Sequence, residues 1–169
     1  MAPALDTLRI LIADDNPHMR TLLKSLLQAL GVKHLHESTD GATAFAAMRD
    51  FKPDLVLSDL TMEPVDGIEF TRMARRRTDS PNPAIPIIMV TGHTERSLVE
   101  GARDAGVNEF LAKPITPHNL ISRITEIIDR PRLFVRCEAY VGPDRRRRRK
   151  VDNYNGPWRR HDDPRRSTG

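Results

Sequence analysis

Cysteine is nearly missing from this chain. Cys137 stands alone, so no intrachain disulfide can form, and a reducing compartment is expected. No apolar run approaches the roughly 20 residues that cross a bilayer. The first residues, Met1-Ala2-Pro3-Ala4-Leu5-Asp6, have neither the charged nor the apolar region of a secretion signal. These absences point to a cytoplasmic protein without a membrane span. Aromatics are scarce as well, and both tyrosines and the single tryptophan fall within residues 130–169. No glycine-rich loop follows the first apolar run, which excludes a dinucleotide fingerprint and a phosphate-binding P-loop.

Charge, by contrast, is abundant and unevenly placed. Residues 1–129 hold 14 Lys+Arg against 18 Asp+Glu, a net of −4, whereas residues 130–169 hold 13 against 5, a net of +8. The two parts account for the net +4 of the chain. Such asymmetry predicts an acidic folded domain, residues 1–129, followed by a basic tail, residues 130–169.

Within the acidic part, short apolar runs alternate with amphipathic stretches. Leu8 to Ala13, Val32 to Ser38, Asp54 to Asp59, Ile85 to Val90 and Glu109 to Ala112 read as five strands. Between and after them lie helical patterns. The first starts at the Asn16-Pro17 cap and carries Met19, Leu22, Leu23, Leu26, Leu27 and Leu30 as an apolar stripe. The last follows Pro117, with Leu120, Ile121, Ile124, Ile127 and Ile128 on its buried side. Five strands alternating with five helices predict an α/β fold, a flavodoxin-like doubly wound parallel sheet of order 2-1-3-4-5. About 125 residues suffice for such a core.

The strand ends carry the chemistry, because ligands of these sheets gather at the carboxyl edge. Asp14 and Asp15 end the first strand, Asp59 the third, Thr91 the fourth, and Lys113 follows the fifth. In the 2-1-3 order the three carboxylates converge, and their mutual repulsion calls for a cation. Mg²⁺ suits carboxylates that also engage a phosphate. A carboxylate neutralised in this way can attack phosphorus and form an aspartyl phosphate. Lys113 and the Thr91 hydroxyl would then hold the phosphoryl oxygens. Singly, an acid pair after a strand is often only a helix cap, and a Lys before Pro is usually structural. Joint occurrence at four strand ends is what carries the reading.

Residues 8–129 resemble a response-regulator receiver domain, the phospho-accepting module of two-component signalling. The match rests on Asp14-Asp15, Asp59, Asp66-Gly67, Thr91-Gly92 and Lys113-Pro114, in order and at family spacing. The resemblance implies that Asp59 is the phosphoacceptor. It implies that Asp15, Asp59 and the Thr61 carbonyl hold Mg²⁺ directly and that Asp14 helps through water. A cis Lys113-Pro114 peptide is implied too, as is a switch role for Phe110 that rests on packing alone, since Phe has no hydroxyl. Thr61 and His93 match positions that tune dephosphorylation. One departure is Glu63, which stands between Met62 and Pro64 where the family places Met-Pro directly. Function follows from the resemblance: a stand-alone regulator phosphorylated by a histidine kinase or histidine phosphotransfer protein, signalling by binding a downstream protein. It is expected to be no enzyme beyond self-catalysed phosphotransfer and autodephosphorylation. A phosphate sink or relay intermediate uses the same chemistry.

The tail shows no apolar periodicity, and its composition predicts disorder over most of its length. It nevertheless contains a repeat. Tyr140-Val141-Gly142-Pro143-Asp144-Arg145-Arg146 recurs as Tyr154-Asn155-Gly156-Pro157-Trp158-Arg159-Arg160, 14 residues later. An aromatic before Gly-Pro and an arginine pair after it suit docking to a protein partner or to the chain's own folded domain. A merely solvated tail stands equal with that reading. Nucleic acid or an anionic membrane ranks behind both: the run Arg145–Lys150 suits phosphates, but no DNA-binding fold accompanies it.

Overall fold

The computed structural model describes residues 4–92 and 96–145. A short 3-10 turn, Leu5–Thr7, leads into β1 (Arg9–Ala13), α1 (Pro17–Ala29), β2 (His34–Ser38), α2 (Gly41–Phe51) and β3 (Leu55–Asp59). After these come α3 (Gly67–Arg76), β4 (Ile87–Thr91), α4 (Arg96–Ala105), β5 (Glu109–Ala112) and α5 (Pro117–Asp129). Five strands pair in parallel in the order β2-β1-β3-β4-β5.

Strand alternation explains the layers. Along β3, Leu55 and Leu57 face a cluster with Leu23 and Leu27 of α1 and Leu120 and Ile124 of α5. Val56 faces the opposite cluster, with Ala44 and Met48 of α2, Phe70 and Ala74 of α3, and Ala102 of α4. Every residue of β3 and β4 is buried. That is why both strands read as unbroken apolar runs rather than alternating ones. The helix stripe of α1 is narrower than its sequence suggests: Leu23 and Leu27 are buried, whereas Leu22 is 41% exposed.

Capping sets where the helices begin. Asn16 accepts from the His18 and Met19 amides ahead of Pro17. Asp40 forms a capping box with Thr43, and the Thr116 hydroxyl accepts from the Asn119 amide. Asp66 caps α3 by accepting from the Glu69 amide at 2.8 Å.

One segment departs from expectation. Residues 131–145, read from the sequence as part of a largely unstructured tail, turn back onto the domain. Phe134–Arg136 (β6) and Val141–Pro143 (β7) pair antiparallel. Val141, Gly142 and Pro143 are buried. The hairpin escapes sequence patterning because three-residue strands cannot show a period, and its support comes from the surface beneath it rather than from a core of its own. Of the residues singled out in the tail, Tyr140 and Arg145 belong to this docked segment. Arg146, Tyr154, Trp158, Arg159 and Arg160 lie outside the described residues, as does His93.

Candidate functional site

The carboxyl edge of β1 and β3 gathers the acids. Ala13 and Ser58 are register partners on those strands, so the residues that follow each, Asp14 and Asp59, come side by side. One carboxylate oxygen from each of Asp14, Asp15 and Asp59 lies within 4.8 Å of the others. Asp14 is 1% exposed, Asp59 is buried and Asp15 is exposed. A cluster of this kind is open to solvent on one side only.

The two buried acids are held differently. The Asp59 Oδ1 atom accepts from the Leu60 amide at 2.9 Å and from Lys113 Nζ at 3.3 Å. The Asp14 Oδ1 atom accepts from the Asn16 amide at 2.8 Å, while its Oδ2 atom is buried without a hydrogen-bond partner. Burial raises the Asp14 pKa, the Asn16 amide opposes that, and the negative charges of Asp59 and Asp15 raise it further. A buried carboxylate oxygen without a donor, next to two more carboxylates, is a cation's complement. These residues therefore fit a hard divalent ion.

Neighbouring strands complete the arrangement. Thr91 ends β4 and is buried, and its carbonyl accepts from the Lys113 amide at 3.0 Å. That bond ties the strand end carrying the hydroxyl to the residue carrying the ammonium. The Lys113–Pro114 peptide is cis. Thr61 lies in the exposed loop after β3, and Glu63 is exposed ahead of a second cis peptide, Glu63–Pro64. Phe110 on β5 is partly buried, packed like Leu98 against the cluster that includes Met89.

Gly67 closes the acceptor loop, its amide donating to the Leu60 carbonyl at 3.1 Å. A Cβ there would run into the Asp59 carbonyl and come within 2.8 Å of the Met89 sulfur. Only glycine lets the start of α3 sit this close to the acceptor strand.

Two arginines with structural roles escape the sequence pattern, one beside the site and one away from it. Arg20 of α1 donates to the Asp14 carbonyl at 2.8 Å and lies 3.5 Å from Glu37 of β2. Its i+6 spacing from Asp14 crosses a helix cap, so no periodicity marks it. Farther away, Arg75 is 1% exposed, although its Arg-Arg-Arg context reads as a solvated run. Its guanidinium donates to the Gly106 carbonyl at 3.0 and 3.1 Å, the Pro83 carbonyl at 2.8 Å and Asn108 Oδ1 at 2.9 Å. Desolvation lowers its pKa to about 10, against a smaller opposing influence of Tyr140.

Comparison with known proteins fits this geometry. Residues 10–125 match the family model described as the response regulator receiver domain. The chemotaxis protein CheY of Pseudomonas aeruginosa is 34% identical over 123 residues, covering 73% of this chain and 98% of that protein. The transcriptional regulatory protein PdtaR of Mycobacterium tuberculosis is 35% identical over 134 residues, 79% of this chain and 62% of that one. Among solved structures, the receiver domain of a sensor histidine kinase from Pseudomonas aeruginosa superposes with a TM-score of 0.65 at 28% identity. That match covers 72% of this chain and 98% of the other, which holds a magnesium ion in its active-site cleft. With the strand order, the acid cluster and the family match in agreement, this chain belongs to the response regulator receiver domains.

Proposed function

We propose that Asp59 accepts a phosphoryl group from a histidine kinase or histidine phosphotransfer protein, and that the chain then signals by binding a downstream protein. The observation that supports this most is the pairing of two acids with opposite circumstances. Asp59 has one oxygen occupied by the Leu60 amide and Lys113, whereas Asp14 keeps a buried oxygen without a donor. The first is a nucleophile held in place, and the second offers a buried oxygen that suits a cation.

In this reading Asp14, Asp15, Asp59 and the Thr61 carbonyl would hold Mg²⁺. When bound, the ion offsets the charge of the acids and of the incoming phosphate. The Asp59 carboxylate attacks phosphorus, a P–O bond forms, and the P–N bond to the donor imidazole breaks, its electron pair remaining on nitrogen. Lys113 shifts from Asp59 towards the phosphoryl oxygens as their fixed positive charge, and the Thr91 hydroxyl donates to one of them. The protein supplies position and charge rather than a separate catalytic base, so beyond this transfer and the later hydrolysis no enzymatic activity is assigned to it. Among the described residues no helix is long and apolar enough to cross a membrane.

Intact mass after incubation with Mg²⁺ and a small phosphodonor tests the assignment. One added phosphate is expected on the wild type and none on Asp59→Asn. Full labelling of Asp59→Asn, or labelling indifferent to a Mg²⁺ chelator, would overturn it. A sink or relay role is separated by the partner: a downstream protein captured only by the phosphorylated chain supports the signalling reading.

A further inference from the structure

The first copy of the C-terminal repeat is docked on the receiver domain. Six positions define the motif, Tyr140-Val141-Gly142-Pro143-Asp144-Arg145 against Tyr154-Asn155-Gly156-Pro157-Trp158-Arg159. The correspondence also runs upstream, with Arg136 matching Lys150 and Glu138 matching Asp152. In the first copy, each of the four shared residues takes part in the docked arrangement. The Tyr140 hydroxyl donates to the Pro143 carbonyl at 2.8 Å, and the Arg145 guanidinium stacks over the Tyr140 ring at 4.4 Å. Arg145 also reaches Asp104 in the last turn of α4 at 2.8 Å. Gly142 lies against Gly106, where an added Cβ would stand 2.8 Å from the Gly106 Cα. Pro143 is buried at the end of β7.

The receiver domain supplies the seat. Gly106 has φ +110°, and a Cβ there would sit 2.6 Å from the Val141 carbonyl. Beneath it Arg75 is locked to the Gly106 carbonyl and lies 5.5 Å from the Phe134 ring. Asp104 marks the rim. A charge contact alone would need only the arginine. The second copy shares Tyr, Gly, Pro and Arg together rather than the arginine alone.

We propose that Tyr-x-Gly-Pro-x-Arg is a docking motif for this seat, and that residues 154–159 of the same chain are its second ligand, exchanging with residues 140–145. The seat holds one copy at a time. Tyr140 lies 10 positions after Arg130 and Tyr154 lies 24 positions after it. Closing the longer loop is about fourfold less favourable, and Asn155 replaces the buried Val141, so the first copy occupies the seat at rest. Exchange moves the anchoring point of the chain by 14 residues and releases Arg145 from Asp104.

The test uses the full-length chain and its single tryptophan, Trp158, which sits inside the second copy. Gly142→Val sets a side chain against the Gly106 backbone and ejects the first copy. Trp158 emission should then move to shorter wavelength than in the wild type, while amide exchange over Gly106–Asn108 stays within about threefold of the wild type. Adding Gly156→Val should return Trp158 to the emission of the fully solvated indole and speed that exchange. Tyr140→Ala with Arg145→Ala is a second route to the same ejection and should give the same shift. Phosphorylation at Asp59 and the melting temperature report independently that each variant is folded. If Gly142→Val and the double glycine variant show the same emission and the same exchange, the second copy does not bind the seat. A shift that grows with protein concentration as the sedimenting mass doubles would place the second copy on another chain and overturn the same-chain exchange.

Discussion

At the scale of single residues, the site is defined by what its acids still need. The Asp14 Oδ2 atom is buried without a donor, a circumstance that costs about 1–3 kcal/mol for a polar group. Mg²⁺ at about one hundred times its Kd would stabilise the fold by about 2.7 kcal/mol. Calorimetry should therefore show a melting temperature raised by roughly 5–10 °C in saturating Mg²⁺. Asp14→Asn and Asp59→Asn should lose most of that rise, and Asp14→Asn should melt higher than the wild type in a chelator because repulsion with Asp59 is gone. Equal Mg²⁺ shifts in all three proteins would remove these acids from the metal site. Tyr140 allows a second check. Burial raises its phenol pKa above the ordinary 10.0, against the lowering influence of Arg145, Arg75 and Arg132. The sign follows directly: the neutral phenol is the form the fold favours, so its contribution is full below pH 10 and is lost as pH climbs through the folded pKa. In Tyr154→Phe, where Tyr140 is the only tyrosine, absorbance at the phenolate band should titrate late in buffer and near 10 in urea.

Elements convert these residues into a mechanism by holding them at fixed separations. The pairing of Thr91 with Ala112 and the Thr91–Lys113 backbone bond tie β4 to the loop after β5. Phe110 lies on that same β5, packed against the cluster shared with α3 and α4. A phosphoryl group that draws the Thr91 hydroxyl would therefore be felt along β5 as repacking of Phe110. Thr91→Ala should keep phosphate labelling close to wild type while reducing the phosphorylation-induced amide shifts from Thr91 to Lys113. Identical shifts in both proteins would remove Thr91 from the switch. On the far edge, α3 contributes Arg75 to bind the α3–β4 and α4–β5 connections together. Arg75→Leu leaves the Gly106 and Pro83 carbonyls and the Asn108 side chain without this donor, and a loss of roughly 2–3 kcal/mol is expected. Urea unfolding should show the midpoint fall with little change in slope.

As a whole molecule, the protein is a receiver domain whose C-terminal hairpin covers the edge opposite its acid cluster. Arg132 links the start of that hairpin to buried Glu109 at 2.8 Å, and Arg123 of α5 approaches the same carboxylate at 3.8 Å. Ending the chain after Arg130 removes Arg132 and exposes the ground beneath Val141 and Pro143. Destabilisation of about 2 kcal/mol should follow from the lost apolar burial, with one phosphate still added per chain. Loss of labelling in the truncated chain would show that the hairpin supports the distant site and does not merely cover the opposite edge.

Much of this protein was legible in its residues because parallel strands advertise themselves. Runs such as Leu55-Val56-Leu57 must be apolar on both faces, and each ends at the sheet edge where its chemistry stands. Strand order, the helix start at Asn16 and the convergence of Asp14, Asp15 and Asp59 follow from that pattern. Tertiary structure alone decided the rest. Arg75 is an arginine among arginines until Gly106, Pro83 and Asn108 close around it. Arg20 becomes a support of Asp14 only once β1, α1 and β2 are packed together. The hairpin of β6 and β7 has too few residues to carry a period, and its Gly142 packs against Gly106, a partner from a distant part of the chain. Local pattern specifies elements that bury their own faces; residues whose partners come from distant parts of the chain acquire their roles only when the chain closes on itself.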